Sequence, residues 1–192
     1  ALRQQLQAKG PDLPIYLGNR NWHPFLDQTL KEMAEAGVRR ALAFVTSAYS
    51  SYSGCRQYLE DIERAQQEVG APPPEIHKIR VFYNHPGFVK SNQDHIRNAF
   101  SRIPDQRKTN AQLVFTAHSI PVSMAQGCDY VEQLQETCRL VAERLPHSKW
   151  SLSYQSKSGP PYQPWLEPDV KDHLTCLKNR GVKDIVLSPI GF

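Results

Sequence analysis

The sequence predicts an α/β fold, with parallel sheets flanked by helices, and three observations lead there. Extended and helical patterns alternate along nearly all of the 192 residues. The extended runs are apolar without a polar-apolar alternation, as expected of strands covered on both faces. Turn residues separate most of the runs, so that strand follows helix in the regular order of β-α-β units. Sheets of this kind gather ligands in the loops beyond the carboxyl ends of their strands.

Residues 13–17 (Leu-Pro-Ile-Tyr-Leu) read as a short first strand, closed by the turn-like Gly18-Asn19-Arg20-Asn21. Phe25, Leu26, Leu30, Met33 and Ala34 then recur at helical spacing, and Gly37 supplies the stop. Residues 40–46 have buried-strand character, and a hydroxyl-rich loop follows at 47–54. The next helix carries Tyr58, Leu59, Ile62 and Ala65. Residues 76–83 are strand-like, and 86–100 are helical, with Phe88, Ile96 and Phe100 apolar. Leu113, Val114 and Phe115 form a strand; residues 130–145 form a helix with Leu134, Cys138, Val141 and Leu145 on one face. A strand at 150–154, a helix at 170–180 stopped by Gly181, and a strand at Ile185, Val186 and Leu187 complete the series.

Ala71-Pro72-Pro73-Pro74 is the one strong linker signal, because consecutive prolines continue neither a helix nor a central strand. The expected organisation is therefore a first α/β part at 1–72 and a second at 75–192. Both termini look like cuts: the chain begins Ala1-Leu2-Arg3 and stops at Phe192 directly after a strand-like run.

Composition narrows the function classes. Hydrophobic residues make up 40% and charged residues 22%, an ordinary globular balance, and the formal charge is +4. A solvated surface accounts for so mild a charge, an anionic small molecule being the alternative. Basic residues form no run and do not interleave with aromatics, so no nucleic-acid partner is expected. No apolar stretch approaches the roughly 18–20 residues of a membrane-spanning helix. The four cysteines, Cys55, Cys128, Cys138 and Cys176, lack CxxC spacing, which argues against a disulfide scaffold or compact zinc site and makes a reducing cytoplasm the default location.

His118 is the first candidate for chemistry. It follows an apolar strand directly, with Ser119 and Pro121 behind it, where an α/β fold exposes functional side chains. A neutral imidazole binds divalent iron or zinc and accepts a proton near neutral pH. The alternative is a histidine packed and hydrogen-bonded at a strand end.

Phe115-Thr116-Ala117-His118-Ser119-Ile120-Pro121 resembles the ferrochelatase pattern Phe-Ser/Thr-Ala-His-Ser/Gly-Leu/Ile-Pro. Tyr154-Gln155-Ser156-Lys157-Ser158-Gly159-Pro160 resembles that family's aromatic-Gln-Ser-Arg/Lys-x-Gly-Pro, and Pro164-Trp165-Leu166-Glu167-Pro168-Asp169-Val170 follows at similar spacing. Pro189-Ile190-Gly191-Phe192 is similar to the family's last strand before an Asp-His-Leu/Ile-Glu segment. Upstream, Gly18-Asn19-Arg20-Asn21-Trp22 and the stretch from Tyr52 to Tyr58 resemble the actinobacterial branch, whose product is typically iron coproporphyrin.

The resemblance implies two Rossmann-like lobes of the chelatase type, the first incomplete, and insertion of ferrous iron into coproporphyrin III or protoporphyrin IX in haem biosynthesis. It implies His118 as metal ligand and proton acceptor. It also implies Tyr58, Ser53 and Trp165 as porphyrin-binding residues, each with ordinary packing or loop structure as its alternative, and Ser50 and Ser51 offer further hydroxyls for propionates. Cys55 stands where actinobacterial-type members place one ligand of a 2Fe–2S cluster, a small buried thiol being the alternative. The family's glutamate lies beyond Phe192, so this stretch alone is expected to be inactive. Gly127-Cys128-Asp129-Tyr130 departs from the family's Gly-Asp-Pro-Tyr, which leaves Tyr130 as a helix-start aromatic. Two other readings stay open: a cobalt chelatase of the same fold, and a non-catalytic tetrapyrrole- or metal-binding module.

Overall fold

The computed structural model describes residues 2–52, 56–70, 72–146, 149–160 and 162–191. The chain divides into two compact units, residues 1–44 with 56–79 and residues 45–55 with 80–192. The dividing point thus lies after Ile79 rather than at the prolines, because the segment behind them pairs into the first unit's sheet. Residues 45–55, expected in the first part, belong to the second unit.

In the first unit, α1 (Leu2–Lys9) precedes an irregular stretch where the sequence predicted a strand. Pro14 sits in the middle of that stretch and removes a ladder donor, which disfavours a paired strand there. Helix α2 (Leu26–Glu35) forms as expected and ends on Gly37, whose φ of 73° suits a residue without Cβ. Val38 N then donates to Met33 O at 2.9 Å, closing the helix end. Strands β1 (Arg40–Ala43) and β2 (Glu75–Lys78) pair in parallel, with α3 (Gln57–Glu68) between them in the chain. Both strands are shorter than predicted, because only four residue pairs enter the ladder.

Leu30 and Met33 of α2 and Ala65 of α3 form the core of this unit, with Ala41 and Ile76 of the sheet packed against them. The other face of the sheet carries Leu42, which is 70% exposed. Among the described residues, then, this sheet is covered on one face, where the apolar strand run predicted cover on both.

The second unit has the fuller core. Helices α4 (Pro86–Ser101) and α5 (Asp105–Lys108) lead into β3 (Gln112–His118). Next come α6 (Val122–Ala125), α7 (Tyr130–Ala142), β4 (Trp150–Gln155), α8 (Val170–Asn179) and β5 (Ile185–Pro189). The sheet order is β4-β3-β5, all parallel, which puts β3 in the centre. Residues 113–117 of β3 are completely buried, as a doubly covered central strand requires. Leu113, Phe115 and Ala117 join Ile96 and Phe100 of α4 and Leu134, Cys138 and Val141 of α7 in one cluster. Leu134, Cys138 and Val141 follow the helical spacing read from the sequence.

Local signals set the helix ends. Pro86 occupies the first turn of α4, and Nδ1 of His85 accepts from Gly87 N at 3.1 Å. Asp169 caps α8 by accepting from Lys171 N at 2.8 Å, and Gly181, with φ 81°, ends it. Among the described residues no helix is long and apolar enough to cross a membrane.

Candidate functional site

The carboxyl end of β3 is held by every element around it. His118 N donates to Gly191 O at 3.1 Å on the β5 side. On the β4 side His118 pairs with Gln155, and Ser119 N donates to Gln155 O at 2.7 Å. From α7, the hydroxyl of Tyr130 donates to His118 O at 3.0 Å. The backbone is therefore fixed on three sides, while the imidazole is half-buried and its nitrogens make no hydrogen bond to a described residue.

Two loops meet just beyond this strand end. Val122 N donates to Pro164 O at 3.0 Å, Leu166 N to Ile120 O at 3.0 Å, and Ser119 Oγ to Leu166 O at 2.9 Å. Pro121 and Trp165 form an antiparallel bridge, so residues 119–122 and 164–166 run as a short ladder. After Gln155, Ser156 adopts φ 63°, in the left-handed region, and turns the chain off β4 into the loop that holds Gly159. Trp165 closes over that loop: its Nε1 is buried against Gly159, with no hydrogen-bond partner among the described residues. Of the site residues expected from the sequence, His118 ends β3 beside Gln155 and Trp165 lies in the loop bridged to Pro121, both in the second unit.

Behind the strand end lies an aromatic base. Tyr49 and Tyr130 meet edge to face at 5.9 Å, and Tyr49 meets Phe88 in the same manner at 6.4 Å. Tyr49 also lies against Gly191, where a Cβ would stand 3.0 Å from Tyr49 Cε2 and 3.3 Å from Leu134 Cδ2. Burial raises the pKa of Tyr130, with Tyr154 and Cys128 adding to it, so its phenol remains a donor. Burial likewise raises the pKa of Tyr154. Sequence reasoning left Tyr130 as a helix-start aromatic and missed its hydroxyl's partner. The signal available was its place after the loop leaving His118.

Other expected site residues fall elsewhere. Tyr58 is half-buried on α3 of the first unit, under the Arg20 guanidinium at 4.9 Å from the ring centre. Arg20 Nε lies 2.6 Å from Asp61 Oδ2, a charge contact off the angle of a hydrogen bond, and Arg64 pairs with the second oxygen of Asp61. Arg20, Asp61, Arg64 and Phe25 line a recess of about 260 Å³. The Ser50 hydroxyl is engaged by Gln133 Nε2 at 2.9 Å, while Gln133 Oε1 takes the Ser50 amide at 2.7 Å. Ser50 therefore anchors its loop rather than presenting a free hydroxyl.

Ser53 and Cys55 lie outside the described residues. Of the described cysteines, Cys138 is buried with its pKa raised by that burial, Cys128 is half-buried and Cys176 is exposed. No group of three or more His, Cys, Asp or Glu that could hold a metal ion occurs among the described residues. The cysteines seen here therefore do not fit a cluster among themselves, and His118 stands without fellow ligands among them.

Comparison with known proteins agrees across the chain's length. The ferrochelatase family model matches residues 1–192. A ferrochelatase of Rhodopirellula baltica is 48% identical over 193 residues, covering 100% of this chain and 55% of that protein. Coproporphyrin III ferrochelatases of Nocardia farcinica and Mycolicibacterium smegmatis are 47% and 43% identical, again over 100% of this chain and over 56% and 57% of those proteins. The chain spans a little over half the length of these curated relatives.

Proposed function

Because this chain belongs to the ferrochelatase family, we propose that its protein is a lyase that inserts ferrous iron into a porphyrin in haem biosynthesis. Coproporphyrin III is the proposed acceptor, on the names its actinobacterial relatives carry. The observation that supports a chemical role for His118 is its half-exposed imidazole, unbonded among the described residues, at the end of a rigid central strand.

Metallation replaces water on the ferrous ion and removes two protons from pyrrole nitrogens. A neutral imidazole at the end of β3 accepts one such proton or takes a coordination position on the incoming iron. Fixing its backbone in advance keeps the acceptor oriented, which is how a rigid scaffold lowers the barrier. The further acceptor and ligands come from outside the described residues. Tyr58, Trp165 and Ser53 are assigned to the porphyrin, Trp165 on the strength of the loop ladder that seats it beside the His118 strand end.

A cytoplasmic location accords with four cysteines in no disulfide pattern. Cys55 is proposed as one thiolate of a 2Fe–2S cluster in the longer protein, on the resemblance of the sequence around it. Aerobically purified full-length protein that is colourless and free of acid-labile sulfide excludes the cluster.

The central experiment is ferrous insertion by the full-length protein with coproporphyrin III and protoporphyrin IX, for the parent and His118→Ala. The proposal expects a loss of 100-fold or more in the variant, of the order of removing a general base. A His118→Ala rate within a few-fold of the parent overturns the assigned role. Preference for cobalt in competition would move the reading to a cobalt chelatase, and binding without turnover would move it to a non-catalytic module.

A further inference from the structure

We infer that Tyr130 is a positioning residue for His118: its hydroxyl holds the His118 carbonyl and so sets the direction in which the imidazole leaves the end of β3. The inference rests on the chemical role proposed for His118 and adds a residue that controls its geometry.

The bond runs from the phenol of α7's first residue to the last residue of the central strand, at 3.0 Å. The donor cannot relocate. Tyr130 is 2% exposed and sits edge to face against Tyr49, which itself fills the space that Gly191 leaves open. Gly191 in turn accepts from His118 N. The amide and the carbonyl of His118 are thus held by partners that Tyr49 packs together, so both peptide planes flanking the Cα are fixed. With these planes fixed, the Cα–Cβ bond has one direction, and the ring turns only about its own side-chain torsions.

A packing role alone would not call for the hydroxyl, because phenylalanine fills the same cluster. The loops beyond are held by Ser119 and Leu166, but those bonds fix the turn after His118 rather than its own carbonyl.

The test uses the full-length enzyme and Tyr130→Phe, which retains the ring. Small displacements of a reacting group cost large factors in rate. We expect kcat to fall about tenfold, KM for coproporphyrin III to stay within about twofold, and the His118 ring resonances in NMR to shift or broaden while the melting temperature holds. Parent kcat with an unmoved His118 resonance overturns the inference. A lowered melting temperature, with KM and kcat altered together and the resonance unmoved, also overturns it, since the hydroxyl would then serve packing. His118→Ala is measured alongside. If that variant keeps the parent rate, the proposed role of His118 fails, and the resonance alone still decides whether Tyr130 orients the ring.

Discussion

Gly159 and the indole of Trp165 occupy adjoining space so closely that a Cβ on Gly159 would fall on Nε1 and stand 2.6 Å from Cζ2. The glycine is there for close approach, and its loop is held beneath Trp165. Gly159→Ala should destabilise the second unit by about 1–3 kcal/mol, the usual range for overpacking. Urea unfolding followed by tryptophan fluorescence measures this. Adding Trp165→Phe should recover part of the loss, and strictly additive effects would show that the two residues do not compete for space.

Gly191 is crowded in the same way, by Tyr49, Leu134 and Ala117. A methyl at this position has to displace Tyr49 or the Gly191 carbonyl that receives His118 N. Gly191→Ala should therefore lower stability by about 1–3 kcal/mol. It should also move the His118 amide resonance. An unchanged amide shift would place the strain on Tyr49 alone.

The buried carboxylate of Asp61 on α3 pairs with the partly buried Arg20 and with the exposed Arg64, offsetting one of their two charges. Removing the carboxylate leaves the partly buried Arg20 charge without its partner, at a cost of about 2–4 kcal/mol, toward the low side of values for buried pairs. Thermal unfolding of Asp61→Ala tests this. Tyr58→Phe, which keeps the ring under Arg20, should change stability by less than about 0.5 kcal/mol.

The cysteines should differ sharply in reactivity. Cys176 is exposed, whereas Cys138 is completely buried with its thiol pKa pushed up by burial. Iodoacetamide at pH 8 followed by mass mapping should modify Cys176 within minutes and Cys138 only after unfolding. Early labelling of Cys138 would mean that α7 opens locally.

Acid should weaken the second unit in a definite direction. Asp94, Asp105 and Glu136 have pKa values below the usual carboxylate range, chiefly through hydrogen bonds from Lys90, Lys108 and Arg139. A carboxylate with a depressed native pKa contributes stability above its unfolded pKa and loses it as pH falls through the native one. All three are solvent-exposed, so each contribution is small and screened by salt. The urea midpoint should fall between pH 6 and pH 3, and Lys90→Met should lessen the fall.

Much of this architecture could be read from residues alone. The spacing of Leu134, Cys138 and Val141 gave the buried face of α7, and Gly37 and Gly181 gave two helix ends because only a residue without Cβ takes those φ angles readily. His118 and its loop partners were legible as strings at strand ends. What escaped was non-local. The exposed side of Leu42 depends on what lies over a sheet, and the exchange of residues 45–55 into the second unit depends on Tyr49 finding Tyr130 and Gly191 far along the chain. Tyr130's role was hidden for the same reason, since a hydroxyl's partner is set by tertiary contact and not by helical period.

The interleaving of the two units has a consequence for how the protein is made. The first unit's residues in this chain have emerged by Ile79, but Tyr49 emerges about 140 residues before the glycine that receives it. At roughly 5–20 residues per second, that ring waits on the order of ten seconds for this last partner, after Phe88 and Tyr130 have emerged. The short excursion at 45–55 is therefore a nascent-chain segment that holding chaperones have reason to cover, and slowed translation downstream of Ile79 would lengthen its exposure.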